Sequence, residues 1–230
     1  MDFAEHEDHR AIRAAVRDVC KQFDDDYWMR LDAEHTFPWE FYREMAKGGW
    51  IGIAIPEAYG GGGQGITEAS LVLEEVAASG ACMNGASAIH LSIFGMHPVV
   101  LHGSEEMKQK YLTRVASGDL HVAFGVTEPD AGLDTTSITT RAVKSEDGSH
   151  FVVHGRKVWT SKALESERVL LLTRTTPKDQ CEKPTQGMTL FLADLKADGV
   201  DIKAIPKMGR NAVRSCEVVY DGLKVDVNDV

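Results

Sequence analysis

The stretch "AFGVTEPDAGLDTTS", residues 123–137, begins as a β-strand and then breaks into turn residues. Val122, Phe124 and Val126 alternate with smaller neighbours, which predicts a short strand. The letters TEPDAG that follow supply a proline, an aspartate and a glycine, residues that favour turns. This strand and turn stand where the hydrophobic pattern of the chain changes, so the stretch divides the sequence into two halves.

Before this stretch, apolar residues recur at helical spacing. The predicted helices are Glu5–Phe23, a helix from Pro38 to the stop at Gly48–Gly49, one capped by Thr67 that ends near Gly80, one over about Asn84–His102, and a shorter one capped by Ser104. After the stretch, the pattern alternates. Segments such as ITTRAVKS, RVLLLTRT and MTLFLAD predict short strands. The segment FVVHGRKVWTS predicts two strands around His154–Gly155, and Asp221–Gly222 predicts a hairpin.

These two patterns predict an α+β multidomain protein. An N-terminal all-helical domain spans residues 1–120, and an antiparallel β-barrel or sandwich domain spans residues 121–230.

The composition is that of a globular protein: 230 residues with 43% hydrophobic residues and a formal net charge of −10. An acidic chain is a poor general binder of nucleic acid or of anionic membrane. The N-terminus lacks the apolar core of a signal peptide, and no apolar run is long enough to span a bilayer. The four cysteines are far apart, which predicts reduced thiols and no zinc site. We therefore expect a cytoplasmic protein that binds neither nucleic acid nor membrane.

Two other kinds of site are disfavoured by their setting. Gly60, Gly62 and Gly65 match the G-x-G-x-x-G spacing, but a dinucleotide site needs a preceding strand, and here a helix follows a helix. His90 and His97 lie two turns apart on one predicted helix, too far to ligate one ion together. We expect no metal.

Two places in the β half combine hydroxyl groups with a strand end. One is Phe124–Thr127 with the turn through Leu133, and the other is Trp159, Thr160 and Ser161. Such groups can bind the edge of a flat heterocycle such as a flavin while the tryptophan covers its face. Spacing alone leaves this interpretation open beside a simpler one, a capped turn and a core tryptophan.

Four motifs in order along the chain resemble the acyl-CoA dehydrogenase flavoprotein family. They are GVTEPDAGLD, HGRKVWTS, FPWEFYREMAKGGWIGIAIPEAYGGGGQG and IPKMGRNAVRSCEVVYDGLKV. The resemblance implies an N-terminal helical domain, a middle β-barrel and a C-terminal four-helix domain, with FAD bound between barrel and bundle. It also implies a homo-oligomer, a dimer or tetramer when full length.

The resemblance places these residues at the flavin: Phe124, Val126, Thr127, Leu133, Trp159, Thr160 and Ser161. Trp159 would pack on the flavin face, and Ser161 would reach the flavin N5 nitrogen, where the family usually has threonine. At Leu133 the family has a small hydroxyl residue that contacts cofactor and acyl-CoA, so leucine puts that contact in doubt. Glu128 and Lys157 match a structural ion pair, and we do not assign Glu128 a catalytic role.

The implied activity is α,β-dehydrogenation of an acyl-CoA, as in fatty acid β-oxidation, with electrons passed to an electron-transferring flavoprotein. The family's base is a glutamate of the C-terminal domain, and the sequence ends at KVDVNDV, just after a strand pair. We therefore expect no catalytic base within it, and a truncated chain with little activity alone. Two alternatives stay open: an acyl-CoA oxidase or flavin monooxygenase relative, and a non-catalytic binding module.

Overall fold

The computed structural model describes residues 5–230 and divides into two compact units. The helical unit comprises the described residues up to Leu120 together with Lys207–Val213. The β unit comprises His121–Pro206 and Arg214–Val230. The predicted fold class, a helical region followed by a mostly antiparallel β region, is confirmed.

The helical unit holds helices joined by turns and by one longer loop, residues 48–65. Their bounds are α1 Glu7–Cys20, α2 Asp25–Glu34, α3 Trp39–Lys47, α4 Ile66–Val76, α5 Cys82–Ile93, α6 His97–His102 and α7 Glu105–Ala116. Ser104 caps α7 as predicted, because its hydroxyl accepts a hydrogen bond from the Met107 N–H at 3.1 Å. Apolar faces of α1 to α5 meet in one core that includes Phe41, Met45 and Val72.

Helix α2 is absent from the sequence prediction. Asp24 caps it by accepting from the Tyr27 N–H at 2.9 Å, and Trp28 and Leu31 are buried. Apolar Met29 is 62% exposed, so hydrophobicity does not separate the buried face of α2 from its open face, and the amphipathic signal is weak.

Two predicted helix boundaries are wrong. Thr67 does not cap α4, because the helix already begins at Ile66 and Gly65 is the N-cap residue. The Gly65 N–H donates to the Glu68 carboxylate at 2.9 Å. The single helix predicted over Asn84–His102 is two helices, α5 and α6, separated at residues 94–96. His90 and His97 therefore lie on different helices.

Lys207–Val213 packs with the helices although it follows the β region in sequence. The Val213 side chain lies in the helical core. The Asp32 carboxylate accepts from the Asn211 backbone N–H and from the Asn84 amide, the latter at 3.1 Å. These contacts make the segment part of the helical unit.

The β unit is a single seven-stranded sheet. Its strands are β1 Val122–Gly125, β2 Arg141–Lys144, β3 His150–Ser161, β4 Arg168–Arg174, β5 Met188–Asp194, β6 Val200–Ala204 and β7 Ser215–Asp226. Most neighbours pair antiparallel, but β1 pairs with β4 in parallel, and β2 joins β4 only through Arg141 and Arg174. Val153, Leu171, Phe191 and Val218 are among the residues that fill its core.

Two predicted strand breaks lie inside long strands and face each other at one bulge. His154–Gly155 lies inside β3, and Asp221–Gly222 lies inside β7, opposite the register shift at Val153/His154. Gly222 has a φ of 78°, which suits a glycine in a bulge as well as in a hairpin. Aspartate and glycine favour both a bulge and a hairpin, so the sequence alone does not distinguish these two structures.

Strands β1 and β2 occupy one side of β4, and the chain leaves the sheet between them. β1 pairs with the first half of β4, whereas β2 meets β4 at its last residue. Residues 126–140, which we call the excursion, therefore leave and rejoin the sheet beside the same strand. The opening TEPDAG motif lies in this excursion.

Candidate functional site

The two ends of the excursion are tied together by Glu128. Its carboxylate accepts from the Thr139 N–H at 2.7 Å, from the Thr139 hydroxyl at 2.9 Å and from the Thr140 N–H at 2.9 Å. Lys157 on β3 donates to the same carboxylate at 2.9 Å and to the Val126 carbonyl at 2.9 Å. The ion pair expected between Glu128 and Lys157 is therefore present, and it fixes the base of the excursion.

Both members of this pair are buried, with Lys157 0% and Glu128 5% exposed. Burial alone would raise the pKa of Glu128, but hydrogen bonds from Thr140, Lys157 and Thr139 outweigh it and lower that pKa to about 2. Burial lowers the pKa of Lys157, and the Glu128 charge opposes this. A carboxylate held ionised by four donors is a poor proton acceptor, which fits a structural role.

The outer part of the excursion consists of two short turns. Glu128 and Ala131 exchange backbone hydrogen bonds across Pro129–Asp130, at 3.0 and 3.2 Å. The Asp134 carboxylate then accepts from the Thr136 N–H at 3.0 Å and caps a 3-10 turn over Thr135–Ser137. Between the two turns, the Leu133 side chain is fully exposed.

Trp159 stands on β3 beside the start of the excursion. It occupies a bulge with a φ of 60°, and its side chain is 56% exposed. The preceding residue, Val158, donates its N–H to the Thr127 carbonyl at 2.9 Å, so Trp159 adjoins Thr127. An indole held in a rare backbone conformation with its surface open is unusual for a purely structural tryptophan. It is not the core tryptophan of the simpler interpretation.

The residues that follow β1 present polar groups near this indole. Phe124, Val126 and Thr127 are half-buried. The hydroxyl and backbone N–H of Thr127 make no hydrogen bond with any residue that the structure describes. A free donor and a free hydroxyl on the residue that adjoins an exposed tryptophan fit the edge and face of a flat heterocycle such as the flavin of FAD.

Beyond Trp159, the last residues of β3 turn back into the sheet. Thr160 is buried, and its hydroxyl has no hydrogen-bond partner within residues 5–230. Ser161 is half-buried and pairs in register with Ser215 of β7. The structure thus brings Thr127, Trp159 and the end of β3 together, while Leu133 stands apart at the tip of the excursion.

A cationic cluster next to the excursion was missed in the sequence. Arg174, the last residue of β4, is buried and donates to the carbonyls of Gln186 and Pro184, both at 2.7 Å, and to that of Thr136. Lys178 approaches the Ser137 hydroxyl at 3.2 Å. These bonds link the loop after β4, which the sequence predicts only as a polar loop, to the excursion. An arginine that ends an apolar strand was the signal for it.

The glycine-rich segment has a structural explanation. A Cβ on Gly61 would lie 2.0 Å from the Ile55 carbonyl oxygen, so the chain packs there too closely for any side chain.

Within residues 5–230, no group of three or more histidine, cysteine or acidic side chains could hold a metal ion. Over the same residues, no helix is both long and apolar enough to cross a membrane.

Comparison with known proteins gives two family matches. Residues 6–119 match the model of the acyl-CoA dehydrogenase N-terminal domain, and residues 123–223 match that of the acyl-CoA dehydrogenase middle domain. Together the two matches span nearly all of the described chain.

Among similar proteins, a 3-(aryl)acrylate reductase from Clostridium sporogenes is 31% identical over 97% of this chain and 58% of its own length. The caffeyl-CoA reductase-Etf complex subunit CarC from Acetobacterium woodii is 30% identical over 95% of this chain and 56% of its own length. A glutaryl-CoA dehydrogenase from Mycobacterium smegmatis, solved in complex with FADH2, superimposes with a TM-score of 0.85 at 25% identity, over 98% of this chain and 55% of its own. The chain thus spans little more than half the length of these relatives.

Proposed function

Because this chain belongs to the acyl-CoA dehydrogenase family, we propose that it serves FAD-dependent α,β-dehydrogenation of an acyl-CoA thioester. The observation that carries the proposal is the exposed Trp159, which adjoins Thr127 at the start of an excursion whose base the Glu128–Lys157 pair fixes. The site is rigid at its base and open at its surface, which suits a cofactor platform.

When bound, FAD supplies the redox chemistry, and the protein supplies position and electrostatics. We propose that Thr127 and Ser161 hydrogen-bond the edge of the isoalloxazine ring system and that Trp159 covers one face. Phe124, Val126 and Thr160 would shape the wall behind it. Trp159 would also exclude water from that face, which strengthens the neighbouring polar contacts.

The reaction also needs a base that removes the α proton of the thioester. Glu128 is unsuited, because four donors hold its carboxylate and its pKa is lowered to about 2. We assign no catalytic residue among residues 5–230, and we propose that the base comes from another part of the catalytic assembly.

The electron partner sets the direction of the reaction. One relative is the subunit of an Etf complex, which supports an electron-transferring flavoprotein as partner. Two relatives are reductases, which makes the reverse reaction, reduction of an α,β-unsaturated substrate, the second candidate function. Both directions would use the same flavin platform. A role in β-oxidation and assembly as a dimer or tetramer follow from the family and are part of the proposal.

An anaerobic titration tests the activity. The chain is loaded with FAD, freed of excess cofactor and titrated with acyl-CoAs of several lengths while the flavin absorbance is followed. Bleaching of bound flavin would show that residues 1–230 support hydride transfer. Bound flavin that bleaches only after a separate C-terminal domain is added would support a platform without its base. A chain that never binds FAD, even with that domain, would contradict the proposal.

A further inference from the structure

Lys162 is a fully buried lysine next to the proposed flavin site. It follows Ser161 at the end of β3, and it is 0% exposed. Its φ is 64°, in the left-handed region that few residues other than glycine adopt. Its backbone N–H donates to the Arg214 carbonyl at 2.9 Å. This bond ties the turn after β3 to the residue just before β7, so the backbone at Lys162 is held within the β unit.

The charged groups around Lys162 leave a positive balance. Glu165 supplies the carboxylate whose charge acts on Lys162. Its side chain is 5% exposed, and it accepts from the Arg214 guanidinium at 2.7 Å. His121, just before β1, is buried, and this burial together with the Lys162 charge lowers its pKa to about 3, so it is neutral. Two cations and one carboxylate therefore leave one positive charge among these four groups when Lys162 is protonated.

The charge of Lys162 is costly to keep in the interior. Burial lowers the pKa of Lys162 to about 7, and the Glu165 charge opposes this. Lysine is rarely buried completely, and a well-packed apolar side chain of similar size is often at least as stable in such a place. Buried groups of this kind are common at functional sites. Lys162 therefore favours an electrostatic role over a packing role.

The ammonium of Lys162 lies within electrostatic range of Ser161. Consecutive Cα atoms are about 3.8 Å apart, and an extended lysine side chain spans roughly 6 Å from Cα to Nζ, so Nζ lies within about 10 Å of the Ser161 Cα. At this distance, with an effective dielectric constant of roughly 20, one unit charge changes an equilibrium that creates another by about tenfold. Ser161 is the residue that we place at the edge of the flavin.

We propose that the Lys162 ammonium stabilises the negative charge that the flavin gains on reduction, and so raises the reduction potential of the bound cofactor. This inference rests on the proposed function. Hydride from the β carbon of the thioester brings two electrons and one proton to the flavin, and the α proton goes to the base. The reduced cofactor then carries one more negative charge than the oxidised one. Lys162 exchanges no atom in this step, because its charge acts through space.

Reduction potentials of the FAD-loaded chain test this role. Lys162→Met removes the charge and keeps the length of the side chain, and Lys162→Gln removes the charge and keeps a polar end. Lys224→Met is the matched control, because Lys224 is exposed and lies near the opposite end of β7 from Ser215, which pairs with Ser161. The flavin is reduced anaerobically at pH 6, where Lys162 is mostly protonated, in equilibrium with a reference dye of known potential. Equilibrium dialysis measures the FAD affinity of each protein, and circular dichroism verifies its fold.

We expect both Lys162 variants to bind FAD as the wild type does and to be reduced less readily. The equilibrium constant for reduction should fall about tenfold, which is about 30 mV for a two-electron couple. Lys224→Met should keep the wild-type potential.

Three results would overturn the role of the Lys162 charge and leave the proposed function in place. They are equal potentials in all four proteins, an equal fall in the Lys224→Met control, and a fall in Lys162→Met without one in Lys162→Gln. A wild type that binds no FAD would instead contradict the proposed function, and this inference with it.

Discussion

The Glu128 carboxylate and the Lys157 ammonium lie 2.9 Å apart in the interior of the β unit, and this pair closes the base of the excursion. Lys157 also holds the Val126 carbonyl, and Glu128 also holds the backbone of Thr139 and Thr140. One ion pair therefore fixes both the entry to the excursion and its exit. The position of Thr127 beside Trp159 depends on it.

Removing one partner of this pair should destabilise the β unit strongly. Lys157→Met leaves the Glu128 carboxylate buried without its counter-ion, and we expect a loss of about 3–5 kcal/mol in the free energy of unfolding. Urea denaturation measures this loss. Lys203→Met breaks an exposed pair with Asp201 and should cost less than about 1 kcal/mol. Equal losses in the two variants would show that the buried pair does not fix the excursion.

The same pair should make stability depend on acid pH. The pKa of Glu128 is lowered to about 2 in the folded state from an ordinary value of 4.5, so its contribution is complete above about pH 4.5 and is lost as the pH falls toward 2. The loss is on the order of 3 kcal/mol.

Urea denaturation of the wild type and Glu128→Gln at several pH values isolates this contribution from those of other carboxylates. The difference in unfolding free energy between the two proteins should shrink as the pH falls from 5 to 2. A difference that is constant over this range would contradict a lowered pKa at Glu128.

Gly155 provides a test of the continuous strand β3. A Cβ at this position would lie 2.6 Å from Thr140 Cα, so Gly155→Ala should cost roughly 2 kcal/mol or more by thermal or urea denaturation. Gly132→Ala is the matched control, because a Cβ there meets nothing within 4 Å. If both variants were equally stable, β3 would not pass Thr140 as closely as the structure has it.

Much of the fold can be predicted from local sequence patterns. The wrong predictions fall where one local pattern is compatible with two different structures. The helical and strand periodicities predicted the two halves of the chain, and Ser104 was a correct cap. Asp221–Gly222 predicts a hairpin from sequence, but a bulge favours the same residues and differs only in the strand that pairs opposite. The strand that pairs opposite is β3, which is distant in sequence, so a local pattern does not reveal it.

The candidate site also has features that the sequence predicts and features that it does not. The motif resemblance indicated the Glu128–Lys157 pair and the turn around it, and both are present. The sequence does not predict the cationic cluster of Arg174 and Lys178, because it forms only where the end of β4 and the loop after it meet the excursion. The flavin contacts of Phe124, Val126, Thr127, Leu133, Trp159, Thr160 and Ser161 stay predictions.

Leu133 offers a test of how the excursion meets the substrate. Its side chain is fully exposed, so Leu133→Ser should leave the free energy of unfolding within about 0.5 kcal/mol of the wild type. If this position contacts the thioester, the new hydroxyl should tighten acyl-CoA binding to the FAD-loaded protein roughly threefold to tenfold. Titration calorimetry measures that affinity. Met208→Ser, at another fully exposed apolar residue, is the control. Equal affinities in all three proteins would place the substrate elsewhere.

The most direct test of the account is FAD binding at Trp159, followed by the visible absorbance of the flavin during equilibrium dialysis. Trp159→Ala removes the exposed indole, and Trp39→Ala removes a partly exposed tryptophan of the helical unit as a matched control. We expect the wild type and Trp39→Ala to bind FAD alike and Trp159→Ala to bind it roughly tenfold more weakly. FAD bound equally well by all three proteins would contradict the assignment of this surface as the flavin platform.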